Sequence, residues 1–154
     1  MNLERYARQM LDENRYVVLG TADADGEPWV SPVFYALDGY ARLYWLSAPQ
    51  TRHSRNLAVR PALSLVVYDS QVPVGAARAV YMSGRAEIVA GPTLPDELQR
   101  YNDGGVAKGA RPFELSSVDD SGTLRLYRAT ITAIWVLDPS LPRDGRTGVD
   151  IASL

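Results

Sequence analysis

The segment PQTRHSRNLAVRP, residues 49–61, gathers Arg52, Arg55 and Arg60 around His53, the only histidine of the chain. An apolar run ends just before it at Ser47. Thr51 is a good residue to open a helix, because its oxygen can accept from the free N–H groups of the first turn. Such a helix start is an anion site by geometry and by dipole. Arg52 and His53 would stand in that first turn, where a cation gains nothing from the macrodipole. A bound phosphate resolves the conflict. Arginine chelates it with paired donors, and Ser47, Thr51 and Ser54 offer hydroxyls. The plain alternative is an arginine-rich solvated turn, since every basic residue except Lys108 is arginine. The placement of the residues alone leaves both readings open.

Other chemistries are narrowed by composition. The chain has 154 residues, 46% of them hydrophobic and 22% charged, which fits one ordinary globular domain. Cysteine is absent, which removes disulfides, thiolate metal sites and thiol catalysis. One histidine makes multi-histidine metal sites improbable. A net charge of -2 gives no bulk attraction to nucleic acid. The start, MNLERYARQML, is charged and amphipathic, and no apolar run reaches membrane length. The expectation is a soluble cytoplasmic protein.

The elements that must position the basic segment follow from periodicity. Residues 2–13 carry a helical stripe of Leu3, Tyr6, Ala7, Met10 and Leu11. Strands are predicted at 15–23, 29–37 and 41–48, separated by turns at Asp25-Gly26 and 38–40. Pro32 inside the second strand argues for a sheet edge, a bulge or an open seam. A short helix over 50–59 is followed by a strand at 62–70 and a loop at 71–77. A long strand, 78–91, has Gly84 as a bend or bulge. A helix at 93–104 has Pro95 in its first turn. A polar stretch, 105–122, leads to a last strand at 123–139. Residues 141–154 form a tail of turn composition. The expected fold is mainly β: an antiparallel six-stranded split barrel with peripheral helices in one domain, 1–140. Glu97 and Arg100, three apart, read as a surface pair on the second long helix. The tryptophans and tyrosines on strands read mostly as core or interface.

Three pieces of this order resemble the FMN-binding split-barrel proteins of the pyridoxamine 5'-phosphate oxidase-like family. They are the hairpin LGTADADGEPWVSPV, the strand and turn LYWLSAPQTRHSRNL, and the returning strand RPALSLVVYD. SGRAEIV and ITAIWVLDP resemble the family's bent strand and closing strand. The resemblance covers roughly residues 15–139. It implies a homodimer with flavin sites at the interface and a flavin-dependent oxidoreductase activity. The second strand, at Ser31, Pro32, Val33 and Phe34, would run along the ring. Leu46 and Ser47 would contact the ring or ribityl chain, and Thr51, Arg52 and His53 the phosphate. Trp135 would reach the flavin from the partner chain. Many relatives have lysine at the position of His53. The family's vitamin B6 oxidases end in a segment bearing arginine and histidine that holds the substrate phosphate. This chain ends DGRTGVDIASL, so that activity is not expected. Some relatives take the deazaflavin coenzyme F-420 in place of FMN, and others bind heme, so the alternatives the resemblance implies are a deazaflavin-dependent reductase and a non-catalytic flavin- or heme-binding protein. Substrate specificity would reside in the loops 71–77 and 105–122.

Overall fold

Residues 2–154 are described by a computed structural model. Helix α1, Leu3–Glu13, is capped by Asn2, whose side chain accepts from the Arg5 amide at 2.7 Å. It buries Tyr6, Ala7, Met10 and Leu11, the stripe its sequence predicts. Strands β1, Tyr16–Ala22, and β2, Pro28–Phe34, form a hairpin. Its turn is closed by the Asp23 carboxylate, which accepts from the amides of Asp25 and Glu27, while Gly26 takes φ +89°. Then follow β3, Ala36–Asp38; β4, Arg42–Ser47; helix α2, Arg52–Val59; and β5, Ala62–Tyr68. The chain continues with β6, Ala79–Ile88; helix α3, Leu94–Ala107; β7, Arg125–Leu137; and β8, Arg146–Val149.

All pairings are antiparallel, in the order β2-β1-β5-β6-β7-β4-β3, with β8 also on β7. The β6–β7 register shifts at Ser83/Gly84, a bulge of the kind that bends a strand. A Cβ at Gly84 would lie 2.6 Å from the Thr130 carbonyl oxygen, so only glycine lets β7 come this close. The two ends of the sheet, β2 and β3, are consecutive in sequence. The chain steps between them at Tyr35, and no ladder joins β2 to β4 among the described residues. That unpaired junction is the split of the barrel. Pro32 stands on edge strand β2, as its missing N–H requires.

Three details differ from the sequence expectation. The predicted strand 29–37 is two strands, because the fully buried Tyr35 turns inward and donates its hydroxyl to the Leu11 carbonyl at 2.6 Å. Eight strands are present among the described residues, against the six expected. The extra pair is β3 and β8. The tail of turn composition supplies β8, which pairs with Ile134–Leu137 and seats Val149 in the core. Four residues with a glycine among them carry too little periodicity to read as a strand.

The main core fills the barrel around Trp45, Tyr35, Leu43, Met82 and Ile134, with α1 closing one end. A second cluster lies between α3 and the sheet, where Leu94, Leu98 and Tyr101 pack on Tyr44, Ala36 and Leu126.

A cleft at the seam of the barrel

The seam between β2 and β4 opens into a cleft of about 780 Å³, lined on one side by Pro32, Val33 and Phe34 and on the other by Leu46, Ser47 and His53. Small-molecule sites span roughly 300–1,000 Å³. The cleft brings together six of the residues singled out from the sequence. It also collects Tyr16, Tyr101 and Arg15, which the sequence did not flag, and Lys108, Arg111 and Phe113 from the 105–122 stretch expected to set specificity. Tyr16 meets Phe34 edge-on at 6.2 Å, Phe34 meets Tyr101 at 6.5 Å, and Tyr101 meets Phe113 at 6.3 Å. One wall of the cleft is therefore a continuous aromatic surface drawn from β1, β2, α3 and the loop after it. Burial pushes the Tyr101 phenol up to about 12, so it keeps its proton at neutral pH.

The start of α2 follows the predicted design. Thr51 is the cap, its oxygen accepting from the Ser54 amide at 3.4 Å, and the helix begins at Arg52. Hydroxyls converge beneath this point. Thr51 donates to the Ser54 hydroxyl at 2.8 Å, and the His53 Nε2 lies 2.8 Å from Ser47 Oγ and 3.1 Å from Thr51 Oγ1. The other ring nitrogen is 3.2 Å from Ser31 Oγ, which accepts from the Trp29 indole at 2.9 Å. Ser31 sits on β2 without lining the cleft, and it links that strand to α2 through His53.

Arg52 is exposed, and its guanidinium stacks over Trp29 at 4.5 Å, outside the cleft lining. Trp135 is half-buried on β7 beside β8, away from this cleft. Glu97 and Arg100, expected to pair, do not. Glu97 turns into the protein and accepts from Arg128 and from the Tyr44 hydroxyl, while Arg100 meets Asp38 at 3.2 Å. Among the described residues no group of histidine and carboxylates is arranged to hold a metal ion, and no helix is long and apolar enough to cross a membrane.

His53 is 8% exposed, and desolvation lowers its pKa from the ordinary 6.5. The neutral ring is the form the fold favours, so the unfolded chain binds the proton more readily. Its contribution to stability is fully present above about pH 6.5 and is lost as pH falls through the lowered folded value. Urea midpoints measured from pH 7.5 down to 5 are expected to drop, and His53→Gln to flatten that drop. An undiminished slope in the variant would assign the acid sensitivity elsewhere.

The pyridoxamine 5'-phosphate oxidase family model matches residues 3–138. No curated protein sequence matches the chain significantly. Among solved structures, a heme-binding protein from Mycobacterium smegmatis is similar with a TM-score of 0.72 and 20% identity. The match covers 96% of this chain and 57% of that one, so this chain spans little more than half the length of that protein. HutZ, a heme storage protein from Vibrio cholerae, is 20% identical with a TM-score of 0.63, covering 88% of this chain and 95% of that one. A structure described as an F420 reductase is 25% identical with a TM-score of 0.59, covering 82% of this chain and 94% of that one. With a matched segment that runs from α1 to the end of β7, and a barrel split at the β2–β4 seam, the chain belongs to the pyridoxamine 5'-phosphate oxidase-like family.

Proposed function

We propose that the seam cleft binds FMN and that the protein is a flavin-dependent oxidoreductase other than a vitamin B6 oxidase. The observation that carries this reading is the convergence of β2, the end of β4 and the start of α2 on one cleft. The donor set fits the coenzyme. Ser47, Thr51 and Ser54 place hydroxyls around the first turn of α2, a helix start fits a phosphate, and apolar walls fit a flat ring. As an edge strand, β2 has main-chain groups free to bond the polar rim of such a ring.

When bound, the coenzyme supplies the hydride chemistry. The chain's own residues bind, orient and exclude water. Arg52 is the cation at the first position of α2. Its contact with Trp29 is worth about 0.5–1 kcal/mol at an exposed site, little enough to give up for a phosphate. His53, neutral and held by three hydroxyls, orients Ser31, Ser47 and Thr51. The same engagement disfavours it as a heme ligand. Trp135 lies outside the cleft, so this reading gives it a role only across a homodimer.

Titration with FMN, followed by flavin fluorescence, tests the reading. Arg52→Ala is expected to weaken binding by roughly 1.5–3 kcal/mol, as for a lost charge-assisted hydrogen bond. Unchanged affinity would remove Arg52 from the site, and no binding to the wild-type protein would remove FMN. The similarity to the F420 reductase supports a second reading, with deazaflavin coenzyme F-420 in the same cleft. The absorbance of the bound coenzyme separates the two.

A further inference from the structure

The α2 end of the cleft offers hydroxyls to an anion but has no cation already in place. Arg52 is exposed, with its guanidinium over Trp29 and outside the cleft lining, so it must leave that ring to join. Arg55 is exposed farther along α2, and Arg60 donates to the carbonyls of Asp23 and Ala24 at 2.6 and 2.9 Å. Of the described basic side chains in and beside α2, His53 is the one that lines the cleft. Burial disfavours its charge, and the ring is neutral as it stands.

The groups around the ring leave room for one more charge. Helix α2 packs on β1, β2 and β6. The titratable side chain of β1 is Tyr16, and β2 has none. Those of β6 are Tyr81, Arg85 and Glu87, and Glu87 is bound by Arg128. On β7, Arg125 stands opposite Ser47 in register and donates to the carbonyls of Gly122 and Leu124 at 2.9 and 2.6 Å. Burial keeps the Tyr127 phenol, beside Ser54, protonated. The remaining cleft cations are Arg15, Lys108 and Arg111, and among the described residues no aspartate or glutamate lines the cleft. Each of these groups is neutral, cationic or already paired, so the first free anion to approach His53 is a ligand's. The hydrogen bonds also permit a charged ring. Ser31 Oγ at 3.2 Å, Ser47 Oγ at 2.8 Å and Thr51 Oγ1 at 3.1 Å can each accept from it. A neutral ring takes one hydrogen from these hydroxyls, whereas an imidazolium takes none and releases that hydrogen to a ligand.

We propose that coenzyme binding is proton-linked through His53: the phosphate enters the α2 end together with one proton from solvent, which turns His53 from an orienting group into a cation that holds the phosphate. The inference rests on the reading of this end as the coenzyme's phosphate site. It makes His53 the residue that tells a phosphorylated flavin from its unphosphorylated parent. An opposite charge beside the ring raises its pKa, so the phosphate binds the protonated protein more tightly. Affinity then falls as pH rises from the midpoint of the free protein to the raised midpoint of the complex, and levels off above it.

Proton NMR of the imidazole Hε1 resonance across pH is the test, and it needs no assignment because the chain has one histidine. Saturating FMN is expected to raise the His53 midpoint by about one pH unit or more, the low end for an opposite charge nearby. That is a preference of roughly tenfold or more of the phosphate for the protonated protein. Riboflavin, which has the ring and ribityl chain without the phosphate, is expected to leave the midpoint in place or lower it. Calorimetry of FMN binding near neutral pH, in buffers of different ionisation enthalpy, counts the proton. Net uptake is expected in the wild type and less of it in His53→Gln, whose amide keeps a hydrogen bond but takes no proton. The proposal is overturned by a midpoint that FMN leaves in place or lowers, by an equal rise with riboflavin, or by an undiminished uptake in His53→Gln. If the wild type binds no FMN, the coenzyme reading fails by itself. Inorganic phosphate against chloride at equal ionic strength, read on the same resonance, then decides whether an anion at α2 charges His53.

Discussion

Replacing Arg128 with methionine is expected to cost about 3 kcal/mol of stability, the low end for removing one partner of a buried ion pair. Arg128 on β7 donates through Nη1 to both oxygens of Glu97, at 2.6 and 2.7 Å, and through Nη2 to Glu87. Glu97 also accepts from the fully buried Tyr44 hydroxyl at 3.0 Å. The Glu97 side chain is 12% exposed and that of Arg128 is 24%, so water screens the pair only partly. Methionine fills the space of the arginine stem but leaves the Glu97 carboxylate desolvated and uncompensated. Arg128→Met/Glu97→Gln is expected to recover much of the loss, because a neutral amide can still accept from Tyr44. Urea unfolding of the two variants checks this. A loss well under 1 kcal/mol in the single variant would show that the pair is solvated and holds nothing. The consequence reaches the cleft. Glu97 ties α3 to the sheet one turn before Tyr101, so the single variant is expected to loosen the aromatic wall as well.

That same helix shows what could be read from sequence and what could not. Its start was legible, because Pro95 fits only the first turn of a helix. Its end was not. The helix was expected to end at residue 104, yet it runs through Gly104 and Gly105 to Ala107. A Cβ at Gly104 would lie 3.0 Å from the Ala36 Cβ and 3.1 Å from the Leu37 carbonyl oxygen, so the glycine is present for close packing on β3. Only the tertiary neighbour explains it. The same holds for Glu97, whose spacing to Arg100 is that of a surface pair while its true partner lies 31 residues away.

The α2 end of the cleft was legible because its logic is local. Strand, loop, cap and helix are consecutive, and Thr51 does what a capping threonine does. Pro32 and Gly84 were legible for a similar reason, since each breaks a strand rule in only a few ways. The opposite end of the cleft was legible only as the 105–122 stretch expected to set specificity, not residue by residue. Arg15, Tyr101, Lys108 and Phe113 are separated by most of the chain or by an irregular loop, and no periodicity links them. The sequence carried one faint signal, the solitary lysine among arginines. Lysine offers a compact ammonium that can settle between the two carbonyls ending α1, where a planar guanidinium would not fit as well. The position of His53 was legible but its state was not. Its neutrality follows from burial among Ser31, Ser47 and Thr51, which only the folded chain assembles.

Trp45 joins the core to the α2 end. It is fully buried, and its ring stacks on Tyr127 at 5.4 Å with 9° between planes. Ser47 follows two residues later on the same strand face, bonded to His53. Trp45→Ala is expected to cost about 3–5 kcal/mol, the range for emptying a large aromatic site. The cavity would open behind Ser47, so FMN affinity is expected to fall with stability. Trp45→Phe separates the contributions. The indole N–H has no partner in the core, and an orphaned buried donor costs about 1–3 kcal/mol. Phenylalanine removes that donor while keeping a six-membered ring against Tyr127. Its cost is therefore expected to fall well below that of alanine, with FMN affinity close to wild type. Thermal unfolding and flavin titration on both variants decide the matter. A phenylalanine variant as unstable as the alanine one would mean that the lost volume, and neither the stack nor the orphaned donor, governs this position.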